Sequence, residues 1–271
     1  MYTAGGAFAA VFGFYYVNYV SSSVNREGNK TPREYDQGSL GLSEDELSAA
    51  CDAKAEQYDS EAARLESLSL MWYQRRKLVE QAKGHVLEVG VGTGRNFEYY
   101  NFDQCESVTF LDKSGPMLEI AKTKWRHLFP KSQFHDKSPK NTKIAFRRQS
   151  TTDTLDFPPG GYDTIVQTIS ICSMANPAET LAYMGTLLNP ESGRLLLLEH
   201  GRSHYEWVNR NLDRSAQRHA YEWGCIPNFD IQSILDQSGL VIESVKRPVP
   251  WNLGTVWVIE ARPKGYLETN K

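Results

Sequence analysis

The sequence is poor in cysteine: 271 residues carry four, Cys51, Cys105, Cys172 and Cys225, widely spaced and without a C-x-x-C pair. No Cys/His ligand set lies close together in the sequence, so neither a metal centre nor a disulfide scaffold is expected. The four read as reduced thiols, mostly core residues, in a non-secretory compartment. Excess charge of one sign is also missing. A formal net charge of -3 excludes a chain that binds nucleic acid over its whole surface, although a local basic surface remains open. The composition lies near the globular average, which argues against disorder, and no internal repeat is visible.

Charge is absent altogether from residues 4–20, "AGGAFAAVFGFYYVNYV", where Asn18 is the one strongly polar side chain. A helix of that length rises about 25 Å, at the short end of a bilayer span. Gly5, Ala9 and Gly13 recur every fourth residue, as do Gly6 and Ala10, giving the small-residue stripe that lets membrane helices approach. Tyr15, Tyr16 and Tyr19 gather at one end, where amphipathic rings favour the interface. A cleaved signal peptide and a buried core helix compete with this reading. The missing basic n-region disfavours the first and the polar stretch that follows disfavours the second. The expectation is a membrane anchor over 1–20, in contact with lipid through 4–20, a Ser/Gly/Pro-rich linker over 21–42 and a folded domain over 43–271.

Ser43 with Glu46 predicts a capping box that opens a helix through about residue 58, with a second helix from about 60 to 83, stopped at Gly84. Apolar runs "HVLEVG", "SVTFLD", "IAFRRQ", "YDTIVQTI" and "RLLLLEH" then alternate with helix-like stretches near 95–100, 115–128 and 177–188. That alternation predicts a parallel sheet covered by helices on both faces. Helices near 205–223 and 228–238 precede "LVIESVKR" and "GTVWVIEAR", whose short separation predicts an antiparallel hairpin.

The first predicted strand runs into Glu88, Gly90, Gly92 and Gly94, an E-x-G-x-G-x-G pattern. A dinucleotide turn would want a small residue where Arg95 stands. Glycines let a backbone approach a ligand closely, and a carboxylate beside them suits a cationic group better than a pyrophosphate. In an open α/β sheet the turn leaving the first strand is the expected ligand contact.

With "LDKS" placing Asp112 eighteen positions after Gly94, with "TLDFPPGGYDTIV" and with "ICSMANPAETL", the chain resembles the class I S-adenosylmethionine-dependent methyltransferases over roughly 58–262. "GRNFEYY", "CSMANP" and "LLLLEHGRS" are similar to the ubiquinone/menaquinone C-methyltransferase-like branch, and to fungal single-pass mitochondrial inner-membrane methyltransferase-like proteins. The resemblance implies a Rossmann-like, mostly parallel sheet with a C-terminal antiparallel hairpin, behind an N-terminal transmembrane helix. It implies S-adenosylmethionine as cofactor, with Glu88 facing the methionine amino end, Gly90, Gly92 and Gly94 lining it, and Asp112 binding the ribose hydroxyls. Tyr58 in "EQYDSE" resembles the residue that closes over the methionine end. The family's adenine-binding acid is missing: Thr151 and Thr152 of "STTDT" stand there, with Asp153 offset by two. Lys113 and Thr168, at the ends of the second and fourth predicted strands, complete the expected contact set. For Glu88 and Asp112 a structural role, organising the turn and capping the next helix, is the competing reading.

Methyl transfer from a sulfonium is an in-line displacement, so alignment and exclusion of water supply much of the catalysis. A base matters only for an acceptor protonated at working pH, and His200, His204 and Tyr205 are its candidates. The expected acceptor is a small, lipid-soluble molecule. Without an unambiguous base, a cofactor-binding but catalytically idle membrane scaffold is the alternative. The stretch 122–148 gathers nine Lys or Arg against one acid, Asp136. It reads as a solvated insertion, with anionic lipid headgroups as the candidate partner and nucleic acid disfavoured. Arg26, Lys30 and Arg33 follow the apolar segment, which by the positive-inside rule puts the domain on the matrix side if the membrane is the mitochondrial inner one. That compartment rests on the resemblance alone, because no Arg-rich presequence is seen.

Overall fold

The computed structural model describes residues 41–130, 141–248 and 252–266. The expected anchor and all but the last two residues of the linker lie outside the described residues. Among the described residues, no helix is long and apolar enough to cross a membrane.

Helix α1 (Glu44–Ser69) begins in the expected capping box: Ser43 Oγ accepts from the Glu46 amide at 3.2 Å, and the Glu46 carboxylate accepts from the Ser43 amide at 2.8 Å. It does not break near residue 58 as the sequence suggested. No glycine or proline interrupts it, and Ser60 Oγ donates back to the Gln57 carbonyl at 2.9 Å, a bond compatible with a helix interior. The break comes at Leu70, in the left-handed region at φ 53, before α2 (Met71–Val79).

Strands β1 (Gly84–Val89), β2 (Cys105–Asp112), β3 (Lys143–Arg148), β4 (Thr164–Thr168) and β5 (Arg194–His200) form a parallel sheet. Three helices cross over or follow within this part: α3 (Gly115–Leu128), α4 (Pro177–Leu187) and α5 (Glu206–Trp223). The expected helix near 95–100 is only a short 3-10 turn, Phe97–Tyr99. After α6 (Ile231–Ser238), β6 (Val241–Lys246) and β7 (Val256–Arg262) pair antiparallel, and β7 inserts beside β5. The strand order is β3-β2-β1-β4-β5-β7-β6.

Side-chain alternation splits the core in two. Leu87, Val89, Leu195 and Leu197 face α4 and α6, packing with Leu181, Met184, Ile234 and Leu235. Val86, Leu196 and Leu198 face α2 and α3, with Leu78, Val79, Leu118 and Ala121. Both faces are therefore apolar and buried, which explains why these strands read as continuous hydrophobic runs. Strand order reverses between β1 and β4, so the crevice at their carboxyl ends is where a ligand would bind.

Candidate functional site

A cavity of about 400 Å³ opens at those carboxyl ends, beneath α1. The turn leaving β1 forms one wall. Gly90, Gly92 and Gly94 all have positive φ, at 68, 54 and 78 degrees, which glycine alone adopts without strain. The turn is fastened to β2, because the amides of Gly90 and Val91 both donate to the Leu111 carbonyl, at 2.9 and 3.1 Å. The Gly92 amide donates to Asp112 Oδ2 at 2.7 Å, while Asp112 Oδ1 accepts from the Ser114 amide at 2.8 Å. Burial pushes the Asp112 carboxyl above its ordinary pKa, against the pull of these two donors. Ionised, it keeps acceptor capacity beyond them.

The cavity wall brings together Tyr58, Gly90, Gly92, Asp112, Lys113, Thr151, Thr168 and His200 of the expected residues. Lys113 lies across the mouth, its Nζ 2.7 Å from Asp45 and 3.5 Å from Glu44 at the start of α1. Five expected residues are not part of the wall. Glu88 follows Val86 onto the opposite face of the sheet, where it is 1% exposed and accepts from Tyr100 Oη at 2.6 Å and Asn96 Nδ2 at 3.0 Å. Burial pushes its pKa up to about 7. It organises the turn through Asn96, which does line the cavity. Gly94 makes room for Phe97, whose ring would lie 2.1 Å from an added Cβ. Thr152 bonds back to Ser150 Oγ. His204 and Tyr205 are exposed, and His204 Nδ1 lies 3.3 Å from Arg247, so neither faces an acceptor in the cavity.

Sequence reasoning missed a buried polar network along the part of this wall formed by Glu66, Arg75, Asn96 and Thr168. Arg75, 3% exposed, donates to Asn96 Oδ1 at 2.9 Å, Thr168 Oγ1 at 2.5 Å and Glu66 Oε1 at 2.5 Å. Arg95 adds a second pair to Glu66, Nη2 to Oε2 at 2.9 Å. Arg75 Nε remains buried with no partner among the described residues. A helical Arg in "MWYQRRKLV" carries no signal of burial, since the same pattern serves a solvated face.

A second group was not visible in the sequence, where no Cys/His ligand set lies close together. Cys172, His200 and Cys225 gather at the carboxyl ends of β4 and β5, with their ligand atoms within 4.8 Å of one another. His200 Nε2 lies 3.0 Å from Cys225 Sγ. Separation in sequence hid them, since they come from the turn after β4, the end of β5 and the residue after the Gly224 cap of α5. Among the described residues all four cysteines are free. Cys51 lines the same cavity, its thiol pushed up to about 12 chiefly by burial, and burial holds the nearby His219 down at about 3.

The basic stretch is partly neutralised within the fold. Lys122 pairs with Glu119 at 2.7 Å, Lys124 with Asp59, and Arg147 with Asp156 at 3.4 Å. Residues 131–140 of that stretch lie outside the described residues.

A parallel sheet carrying an antiparallel β7 between β5 and β6, a glycine turn after β1 and an acid closing β2 define a class I methyltransferase fold. The family model described as "Methyltransferase domain" matches residues 58–245, and the chain belongs to that family. A curated relative, the mitochondrial methyltransferase OMS1 of Saccharomyces cerevisiae, is 37% identical over 225 residues, covering 78% of this chain and 45% of its own length. The chain thus spans less than half of that relative. Among solved structures, a complex of DhpI with SAH superposes with a TM-score of 0.55 at 16% identity, covering 81% of this chain and 96% of that one. A SAM-dependent methyltransferase of Leishmania major gives 0.56 at 14% identity, covering 80% and 82%. At such identities these two speak for the fold alone.

Proposed function

We propose that this chain transfers the methyl group of S-adenosylmethionine to a small acceptor held at the carboxyl ends of β4 and β5, and that a membrane anchor over residues 4–20 tethers it. The observation that carries the cofactor is the paired geometry of Gly92 and Asp112 on one cavity wall. A Cβ built on Gly92 meets nothing within 4 Å, so the turn faces open space where a ligand can lie against the backbone. Arg75 also lines the cavity, where the guanidinium charge favours a carboxylate such as that of an amino-acid moiety. Asp112 would accept from the ribose hydroxyls, and Thr151 and Gln149, which line the same cavity, would border the adenine. Bound there, the cofactor supplies an electrophilic methyl on a sulfonium.

The chain's own residues align and enclose. Helix α1 closes over the cavity through Cys51, Tyr58 and Glu66, and excludes water from an in-line displacement. His200 is the one sequence-predicted base candidate that reaches the cavity. The anchor and the mitochondrial relative together support a lipid-soluble acceptor in a mitochondrial membrane, because tethering raises the effective concentration of a bilayer-dissolved substrate. Comparing metabolite and protein methylation in cells carrying wild type or Asp112→Ala tests the enzyme. A methylated product lost with the variant supports it, and full biological function without cofactor binding replaces it with a scaffold. Deleting residues 1–24 tests the tether: full-length protein in the membrane fraction and truncated protein outside it is the expected result, and a soluble full-length protein overturns it. Protease treatment of mitoplasts with the matrix sealed should leave the domain intact, and its digestion would place it in the intermembrane space instead.

A further inference from the structure

We propose that Cys172, His200 and Cys225 form a zinc centre of two thiolates and one imidazole nitrogen, with its fourth coordination position open to the cavity. Zinc held by sulfur at about 2.3 Å and nitrogen at about 2.0–2.1 Å in a tetrahedron separates its ligand atoms by roughly 3.5–3.8 Å. The three ligand atoms lie within 4.8 Å of one another, with 3.0 Å between His200 Nε2 and Cys225 Sγ. Side-chain adjustments of about 1 Å complete the geometry. Two soft sulfurs with an imidazole select zinc or cuprous copper and disfavour magnesium or calcium.

The backbone around the three is built to hold them. Glu199, immediately before His200 and fully buried, accepts from the amides of Ser170 at 3.2 Å and Ile171 at 3.4 Å, which fixes the turn bearing Cys172. Ile169 opens that turn at φ 53, a conformation rare for a β-branched residue, and its amide is bonded to the Leu198 carbonyl at 2.7 Å. The Ile226 amide donates to the Cys172 carbonyl at 2.7 Å, pinning the Cys225 loop to the Cys172 turn. Gly224 lets α1 approach: a Cβ there would lie 2.3 Å from the Leu47 carbonyl oxygen and 2.5 Å from Cys51 Sγ.

Binding of Zn²⁺ expels two protons from the Cys/His set to solvent and leaves a centre of zero net charge. Three protein ligands and one open position is the arrangement of catalytic rather than structural zinc. All three ligands line the cavity, so the open position would take the heteroatom of an acceptor, whose proton leaves to water as it binds. That role in acceptor activation rests on the methyltransferase reading, whereas the metal site does not.

The test is titration of the full chain, stripped by chelator and kept reduced, with Co²⁺ as a spectroscopic probe, followed by Zn²⁺ competition. One equivalent per chain is expected, with thiolate-to-cobalt charge transfer and the intense visible bands of tetrahedral cobalt, both abolished by one equivalent of zinc. Cys172→Ser, Cys225→Ser and His200→Asn should each lose this spectrum, while Cys105→Ser should keep it. Circular dichroism and denaturant unfolding of the same proteins report whether the fold survives, and their titration with S-adenosylhomocysteine reports cofactor binding separately. No cobalt spectrum in the wild type, a Cys172–Cys225 disulfide persisting under reduction, or unchanged binding in the ligand variants would overturn the centre. If cobalt binds and S-adenosylhomocysteine does not, the metal site stands and the methyltransferase reading falls; the reverse pattern sinks the metal site alone.

Discussion

The backbone amide of Gly92 donates a 2.7 Å hydrogen bond to Asp112 Oδ2, so the turn leaving β1 and the acid closing β2 form one unit. The free space above Gly92 separates two effects of a substitution there. Gly92→Ala meets no protein atom, and only its positive φ strains the fold, by about 1–2 kcal/mol. Gly92→Val fills the space a ligand would use. We expect a modest loss of stability for both variants by denaturant unfolding, and a loss of S-adenosylhomocysteine binding that is far larger for valine. Undiminished binding by the valine variant would contradict the placement.

Glu88 makes stability depend on pH. Its carboxyl titrates near 7 in the fold against an ordinary value of 4.5, so between these the folded state holds more protons than the unfolded one. Stability conferred on the protonated carboxyl is therefore present below about pH 4.5 and lost as pH rises through about 7, on the order of 3 kcal/mol in total. Glu88→Gln should flatten this part of the profile measured by denaturant midpoints at about pH 5 and about pH 8. An unchanged slope in the variant would refute the assignment.

Arg75 is the hub of the buried network. Arg75→Ala removes one of two cations from Glu66 and strips partners from Asn96 and Thr168, at a cost of about 3–5 kcal/mol. Urea unfolding should show this directly. A loss below ~0.5 kcal/mol, the range of ordinary surface substitutions, would mean that the network carries no such energy.

Gly224 carries both a left-handed φ of 65 and a close approach to α1. Gly224→Ala should destabilise by about 2–4 kcal/mol, strain and overpacking together. Gly92→Ala, with φ alone, is the internal comparison for the same thermal or denaturant measurement. Equal losses would deny the α1 contact its role.

Much of this fold is legible in the sequence. The helix-like stretch near 115–128 is α3, Gly115–Leu128. Asp112 falls at the end of β2 because "SVTFLD" sits in register with "HVLEVG". The placement of Glu88 away from the cavity wall also follows from period two: residues 86 and 88 share a face, and 87 and 89 share the other. What stays hidden depends on tertiary placement. Cys172, His200 and Cys225 are 28 and 25 positions apart in sequence and are joined by an unannounced convergence of two strand ends and a helix cap. The burial of Arg75 depends on α2 packing against β5 and the 3-10 turn Phe97–Tyr99, which no local pattern encodes.

Cofactor binding by the Gly92–Asp112 unit is the central claim of the proposed function, and calorimetric titration of the full chain with S-adenosylhomocysteine tests it most directly. Wild type should bind one equivalent. Asp112→Ala removes the carboxylate that would accept from the ribose hydroxyls, and should bind roughly ten- to hundredfold more weakly, about 1.5–3 kcal/mol, with Asp112→Asn in between. No binding by wild type, or equal binding by Asp112→Ala, would contradict the account.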